Sequence, residues 1–215
     1  MNYIDLDSEM PEEWKEIFVK VTDLPALKGG ENRKALLLDR DGVLNENVTC
    51  IVSLDRFNLL PGIGPALKKA QDAGYLLILI TNQPDISKGF YSFEDLHKIH
   101  KKLRNYLLES GVNLAAIYTC PTHPDSGFDG EIVELKYNSW FRKPGHGLLE
   151  QAIKDYCLNR SLSYMIGDNK SDMLAAEAAQ VKGILVSEKI HDINVDPFVC
   201  SNILEAVDSI LLYNK

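Results

Sequence analysis

The stretch LLLDRDGVLNEN, residues 36–47, carries an apolar run straight into two acids one residue apart, Asp39 and Asp41, and then into Gly42. In an extended chain, side chains two apart share a face. Two carboxylates so placed cannot both stay charged without help. A divalent cation removes the conflict, and an all-oxygen ligand set suits Mg²⁺, which keeps several waters and takes a few carboxylates plus a substrate phosphate. An acid pair after a strand is also a common turn or cap, so the rest of the chain has to decide.

Working outward, short apolar runs alternate with amphipathic stretches. Residues 34–39, 75–81, 114–120, 162–168 and 182–186 read as strands. Residues 62–74, 92–111, 145–158 and 170–180 read as helices, with a last one near 202–213. Ser92 is placed to cap the second helix, and Gly74 and Gly111 to stop the first two. The runs are continuously apolar rather than alternating, which predicts strands covered on both faces. Strand–helix alternation predicts an α/β fold with a parallel sheet and right-handed crossovers. Residues 121–144 read as a long irregular loop of the kind that carries function. Residues 1–33 read as an N-terminal extension ahead of a domain at 34–215. The extension has a short helix possible after Ser8 and an apolar stripe of Trp14, Ile17 and Phe18.

In a parallel sheet the ligand crevice lies beyond the carboxyl ends of the strands. The notable polar residues fall there: Asp39 and Asp41 after the first run, Thr81 and Asn82 after the second, Asp168 after the fourth. Asp168 is expected to join the first two acids at the metal. Asp172, one helical turn on, is read either as support for Asp168 or as a direct ligand. Two familiar motifs fail: position twelve of an EF-hand loop starting at Asp39 is Cys50 rather than Glu, and GIGPALK (62–68) lacks the third glycine of a dinucleotide fingerprint.

Composition narrows the classes. The 215 residues are 45% hydrophobic and 25% charged, enough for one sizeable core, and the formal net charge of −8 argues against nucleic acid as a partner. Cys50, Cys120, Cys157 and Cys200 are too scattered for a disulfide framework and read as free thiols. The chain offers no signal-peptide pattern and no membrane-length apolar run, so a cytoplasmic enzyme or binding protein with a small-molecule partner is expected.

DRDGVLN (39–45), TNQ (81–83), RKP (142–144) and GDNKSDM (167–173), in that order, resemble the four motifs of the haloacid dehalogenase (HAD) superfamily of phosphatases. They are closest to the branch that includes heptose-bisphosphate and histidinol-phosphate phosphatases, and the similarity spans about residues 34–187. The resemblance implies a HAD-like Rossmannoid three-layer sandwich and a Mg²⁺-dependent phosphomonoester hydrolase working through an aspartyl-phosphate, on a sugar phosphate such as a heptose bisphosphate or, as the alternative, on histidinol phosphate or another small phosphomonoester. It casts Asp39 as nucleophile, Asp41 as general acid and base, and Thr81 and Lys143 as catalytic partners of the phosphoryl group. It places Mg²⁺ on Asp39, the Asp41 carbonyl and Asp168. It assigns Asn82, Gln83, Lys88 and Arg142 to substrate, while Asn45 either lines the pocket or caps a turn. A catalytically silent HAD-like binding protein is the alternative of another class.

The departures from the family pattern carry expectations too. The branch often holds zinc with a C-x-H pair and a C-x-C pair before R-K-P. Here Cys120 is followed by Thr122, and Ser139 and Phe141 precede Arg142, so structural zinc is expected to be absent and SWF (139–141) to hold the loop by apolar packing. Pro84, Asp85 and Lys88 replace the usual residues of the loop after Gln83, and Asn169 stands where a cation is common. His97 and His100 read as surface or core residues, not ligands. No large cap domain fits between Asp39 and Thr81.

Overall fold

The computed structural model describes residues 32–47, 56–187 and 198–213. Six parallel strands form one open sheet in the order β3-β2-β1-β4-β5-β6: β1 Ala35–Leu38, β2 Leu76–Asn82, β3 Ala116–Cys120, β4 Tyr164–Gly167, β5 Lys182–Val186 and β6 Phe198–Cys200. Among the described residues five α-helices accompany them: α1 Ile63–Asp72, α2 Phe93–Glu109, α3 Gly147–Tyr156, α4 Lys170–Ala178 and α5 Ile203–Tyr213. The five expected strands and five expected helices are all present. The sixth strand is the addition. Its three residues, FVC, are too few to show a period, and pairing with β5 is what makes them a strand. The Ser8 helix, the Trp14–Ile17–Phe18 stripe and Cys50 lie outside the described residues.

β1 is central because it is buried on both faces. Leu36 and Leu38 turn to one side, where α1, α2 and α5 supply Ile63, Leu67, Leu103, Leu107, Val207 and Ile210. Ala35 and Leu37 turn to the other, where α3 and α4 supply Leu148, Leu149, Ala152, Tyr156, Ala175 and Ala176. All four β1 residues have no exposed surface. The result is a helix–sheet–helix sandwich, the three-layer solution expected of strand–helix alternation. Among the described residues, α1 is the only α-helix between β1 and β2, so no cap domain stands there.

Local signals set the helix ends. Ser92 accepts from the Asp95 N–H while the Asp95 carboxylate accepts from the Ser92 N–H, a reciprocal cap at the start of α2. Asn169 and Asp172 make the same box at the start of α4. Asn169, read as a missing cation, is thus a cap. Cys120, Cys157 and Cys200 are free thiols. Among the described residues no helix is long and apolar enough to cross a membrane.

Leu37→Ala removes a fully buried side chain at the centre of the sheet. It is expected to cost about 2–5 kcal/mol in urea unfolding, while a loss under about 0.5 kcal/mol would show that the layer around β1 can collapse.

Candidate active site

The first motif leaves the sheet through a tight loop. The Asp39 N–H still donates to the Ile166 carbonyl at 2.9 Å, so Asp39 is held in β-sheet register beyond β1. The Arg40 carbonyl then accepts from the N–H groups of Val43, Leu44 and Asn45, and the Gly42 N–H donates to the Asn45 carbonyl at 2.8 Å. Gly42 has φ of 80°, and a Cβ there would lie 2.0 Å from Asp168 Oδ2. Both the left-handed backbone and the approach to Asp168 exclude a side chain.

Lys143 gathers the acids. Its Nζ lies 2.8 Å from Asp39 Oδ1 and 2.6 Å from Asp172 Oδ1, and it donates to the Ile80 carbonyl at 2.9 Å. Lys143 is only 3% exposed, so its three ammonium hydrogens are spent inside the protein. Its backbone is fixed by Asn82, whose Nδ2 donates to the Lys143 carbonyl at 3.0 Å and whose Oδ1 accepts from the Lys143 N–H at 3.1 Å. Asp172 also accepts from the Asn169 N–H at 3.0 Å, the residue next to Asp168. Asp172 therefore does more than support Asp168. Carboxylate oxygens of Asp39, Asp168 and Asp172 lie within 4.8 Å of one another. Asn47 Nδ2 donates to Asp168 Oδ2 at 2.9 Å.

Three acids against one lysine leave a deficit of positive charge. Burial pushes Asp39 up to about 7, opposed by Lys143 and aided by Asp172. Burial also raises Asp168 and Asp172. Burial works against the charge of Lys143, but Asp172 and Asp39 hold it above the ordinary lysine value. A hard divalent cation bound by Asp39 and Asp168, within reach of Asp172, would supply the missing charge, and oxygen donors at this spacing fit Mg²⁺.

Asp41 answers to a different cation. Arg40 donates to it from Nε at 3.2 Å and from Nη2 at 2.8 Å, Asn45 from Nδ2 at 2.8 Å, and Gln83 from Nε2 at 2.8 Å. Burial opposes the charge, but Arg40 and these donors hold the carboxyl below the usual range. The extended geometry expected of residues 39–41 does not persist past Asp39. The side chain of Asp41 is outside the three-carboxylate group, so the two acids of the opening stretch do not converge on one point through their carboxylates.

The residues expected at the substrate divide. Thr81 is buried and accepts from Gln83 Nε2 at 2.9 Å. Gln83 and Asn45 are buried too and donate to Asp41; Asn45 also donates to the Glu46 carbonyl at 2.9 Å. Asn82 is engaged with the Lys143 backbone. Lys88 and Arg142 stand partly exposed. Lys88 lies over the Phe128 ring at 5.4 Å and 3.9 Å from Asp85, so this loop acid has a cation beside it. Arg142 donates to the Thr122 carbonyl at 3.1 Å. The reading missed Arg40 and Asn47. Only the wedging of Arg40 between two acids could have flagged it. His100 is a buried core residue and His97 is exposed, as expected.

Cys120, Thr122 and Ser139 do meet, but as a thiol–hydroxyl group. Cys120 Sγ is 3.2 Å from Thr122 Oγ1, and Ser139 Oγ accepts from the Phe141 N–H at 3.1 Å. Apolar packing contributes as expected: Phe141 packs against the α3–α4 core, and Trp140 meets Phe141 and His146 at ring distances of 5.5 and 5.4 Å.

Comparison with known proteins bears on this geometry. A HAD-hydrolase-like family model matches residues 140–197. The D-glycero-beta-D-manno-heptose-1,7-bisphosphate 7-phosphatase of Haemophilus ducreyi is 42% identical over 151 residues, covering 70% of this chain and 80% of that one. The enzyme of the same name from Helicobacter pylori is 37% identical over 179 residues, covering 81% and 95%. Among solved structures, D,D-heptose 1,7-bisphosphate phosphatase from B. bronchiseptica, complexed with magnesium and phosphate, superposes with a TM-score of 0.72 at 26% identity, over 84% of this chain and 99% of that one.

Two outcomes follow from the cluster. Gly42→Ala should destabilise by at least about 1 kcal/mol, because alanine is strained at positive φ, and should weaken metal binding by displacing Asp168; unchanged Mg²⁺ titration would contradict this. A carboxyl raised by folding contributes stability that is lost as pH rises from its ordinary value toward about 7. In chelator, stability should therefore fall over that window. The rise in Tm caused by Mg²⁺ should be larger at about pH 7.5 than at about pH 5, and should be lost in Asp168→Asn.

Proposed function

The chain belongs to the HAD-like phosphatases, in the family of the D-glycero-D-manno-heptose-1,7-bisphosphate 7-phosphatases, and on that premise we propose that it removes the 7-phosphate of D-glycero-D-manno-heptose 1,7-bisphosphate with Mg²⁺. The observation that carries the reading is the division of the two motif acids, Asp39 paired with Lys143 and Asp41 paired with Arg40. It gives one carboxylate to a cationic phosphate site and holds the other apart from it, oriented by Arg40 and partly uncovered.

In this mechanism Asp39 attacks phosphorus and the bond from phosphorus to the sugar oxygen breaks. Asp41, entering as the acid, gives its proton to the departing alkoxide. An anionic substrate lying beside Asp41 favours that protonated form. As a carboxylate, Asp41 then takes a proton from water, the water oxygen attacks phosphorus, and Asp39 leaves as the free carboxylate with phosphate released. Covalent splitting of a very slow hydrolysis, fixed donors and acid–base help act together. Lys143 lets two anions meet, and Thr81 donates its hydroxyl hydrogen to a phosphoryl oxygen. Mg²⁺ would be held by Asp39, Asp168 and the Asp41 carbonyl, and would supply charge neutralisation at the phosphoryl group. Lys88 and Arg142 are the cations we assign to the rest of the substrate.

The same reading treats the 121–144 loop as zinc-free, supported by the hydroxyl and aromatic contacts of Thr122, Ser139 and Phe141. It takes residues 34–215 as the phosphatase domain behind an extension at 1–33. It places the enzyme in the cytoplasm, in keeping with free thiols at Cys120, Cys157 and Cys200.

The test is phosphate release with Mg²⁺ from both anomers of the heptose bisphosphate, with histidinol phosphate as comparator. The expected result is a preference for one heptose anomer with the 1-phosphate retained. Asp39→Asn should lower kcat by more than about 10⁴-fold with the fold intact, since it removes the nucleophile. Near wild-type turnover in that variant would overturn the mechanism, and faster release from histidinol phosphate would overturn the substrate.

A further inference from the structure

Gln83 has no hydrogen-bonding capacity left for a substrate. Its two amide hydrogens go to Asp41 Oδ2 at 2.8 Å and Thr81 Oγ1 at 2.9 Å. Its carbonyl oxygen accepts from Arg40 Nη2 at 2.9 Å and from the Tyr91 hydroxyl. A glutamine offers two donors and two lone pairs, so the inventory is full. Arg40, 1% exposed, spends Nε and Nη2 on Asp41 and Gln83 and rests near the Phe57 ring at 5.9 Å. A charge this deep is costly unless its partners are fixed. Here they are Asp41, the assigned acid–base residue, and Gln83, which reaches it.

The polarity of the network is informative. Thr81 accepts from Gln83, which leaves its own hydroxyl hydrogen free to donate. Asp41 accepts from Arg40, Asn45 and Gln83, which fixes its plane and leaves the carboxylate only partly covered. One amide thus orients two side chains that must meet the same phosphoryl group from different strands.

We propose that Arg40 and Gln83 are positioning residues: together they lock the Asp41 carboxylate and the Thr81 hydroxyl into the geometry for proton transfer and phosphoryl binding, and Gln83 does not contact substrate. The proposal rests on the acid–base role assigned to Asp41 above. It separates sharply from a substrate-binding Gln83, which would act on KM.

The experiment compares wild type, Arg40→Met, Arg40→Lys and Gln83→Leu on heptose bisphosphate and on p-nitrophenyl phosphate. The p-nitrophenolate leaving group departs without needing a proton. Because kcat/KM reports the steps through leaving-group departure, a misplaced acid shows there for the sugar and not for the nitrophenyl ester. Arg40→Met is expected to lose about 100-fold in kcat/KM on the sugar phosphate, the lower end of what general acid catalysis contributes, and far less on the nitrophenyl ester. Arg40→Lys should recover part of the loss. Gln83→Leu should lower kcat on the sugar with KM nearly unchanged.

The ratio of the two substrates' kcat/KM values does not depend on the fraction of enzyme folded. An unchanged ratio in both Arg40→Met and Gln83→Leu overturns the proposal, and so does a Gln83→Leu variant altered only in KM. If Arg40→Met does not fold, Gln83→Leu decides alone. Wild type that releases phosphate from neither ester would sink the phosphatase reading itself, a result distinct from any loss in the variants.

Discussion

A buried ammonium holds the site together. Lys143 sits where the loop after β1 meets β2 and α4, touching Asp39, the Ile80 carbonyl and Asp172, one group from each. Three carboxylates at this distance repel, and in a low-dielectric interior that repulsion is far stronger than in water. Lys143 makes the arrangement tolerable and still leaves it short of charge. That shortage is what a divalent cation would relieve, and it is why metal and pH are expected to act on stability together. The protein tolerates an unstable arrangement here because the surrounding sheet and helices over-determine it.

The second cation, Arg40, has a different task. It lies one residue from Asp39 yet serves Asp41, and through Gln83 it reaches the end of β2. Alternate positions of a single short motif are thereby assigned to two electrostatic environments, one raised and one lowered. Separation of this kind lets neighbouring acids take different chemical roles. The left-handed Gly42 makes it possible, because it turns the chain away from the strand direction just after Asp41.

Much of this was legible in the sequence because it depends on patterns that a chain cannot hide. Continuous apolar runs marked the five longer strands, Ser92 and Gly111 marked a helix's ends, and the motif acids fell at strand ends, where the crevice of a parallel sheet lies. What was not legible depends on side-chain direction beyond the end of a strand. Period-two reasoning put Asp39 and Asp41 on one face; the loop closed by the Arg40 carbonyl broke that period. The resemblance assigns Gln83 and Asn82 to substrate and leaves Asn45 between pocket lining and turn cap. In the structure their hydrogen bonds run to Lys143, Asp41, Thr81 and Arg40. Strand β6, with three residues, was silent for want of length.

The strand order has a consequence for the growing chain. β1 lies between β2 and β4, although β4 comes more than a hundred residues later in the sequence. During synthesis, β1, β2 and β3 can pair first, with α1 and α2 covering one face. Asp39, Thr81 and Lys143 then exist before Asp168 and Asp172 have left the ribosome, and the open edge of β1 waits for β4. The hydrolytic centre therefore closes late, on the same pairing that seals the middle of the sheet. A chain released early carries an unsealed sheet edge and no metal cluster, so a truncated product is more exposed to aggregation than to misplaced hydrolysis.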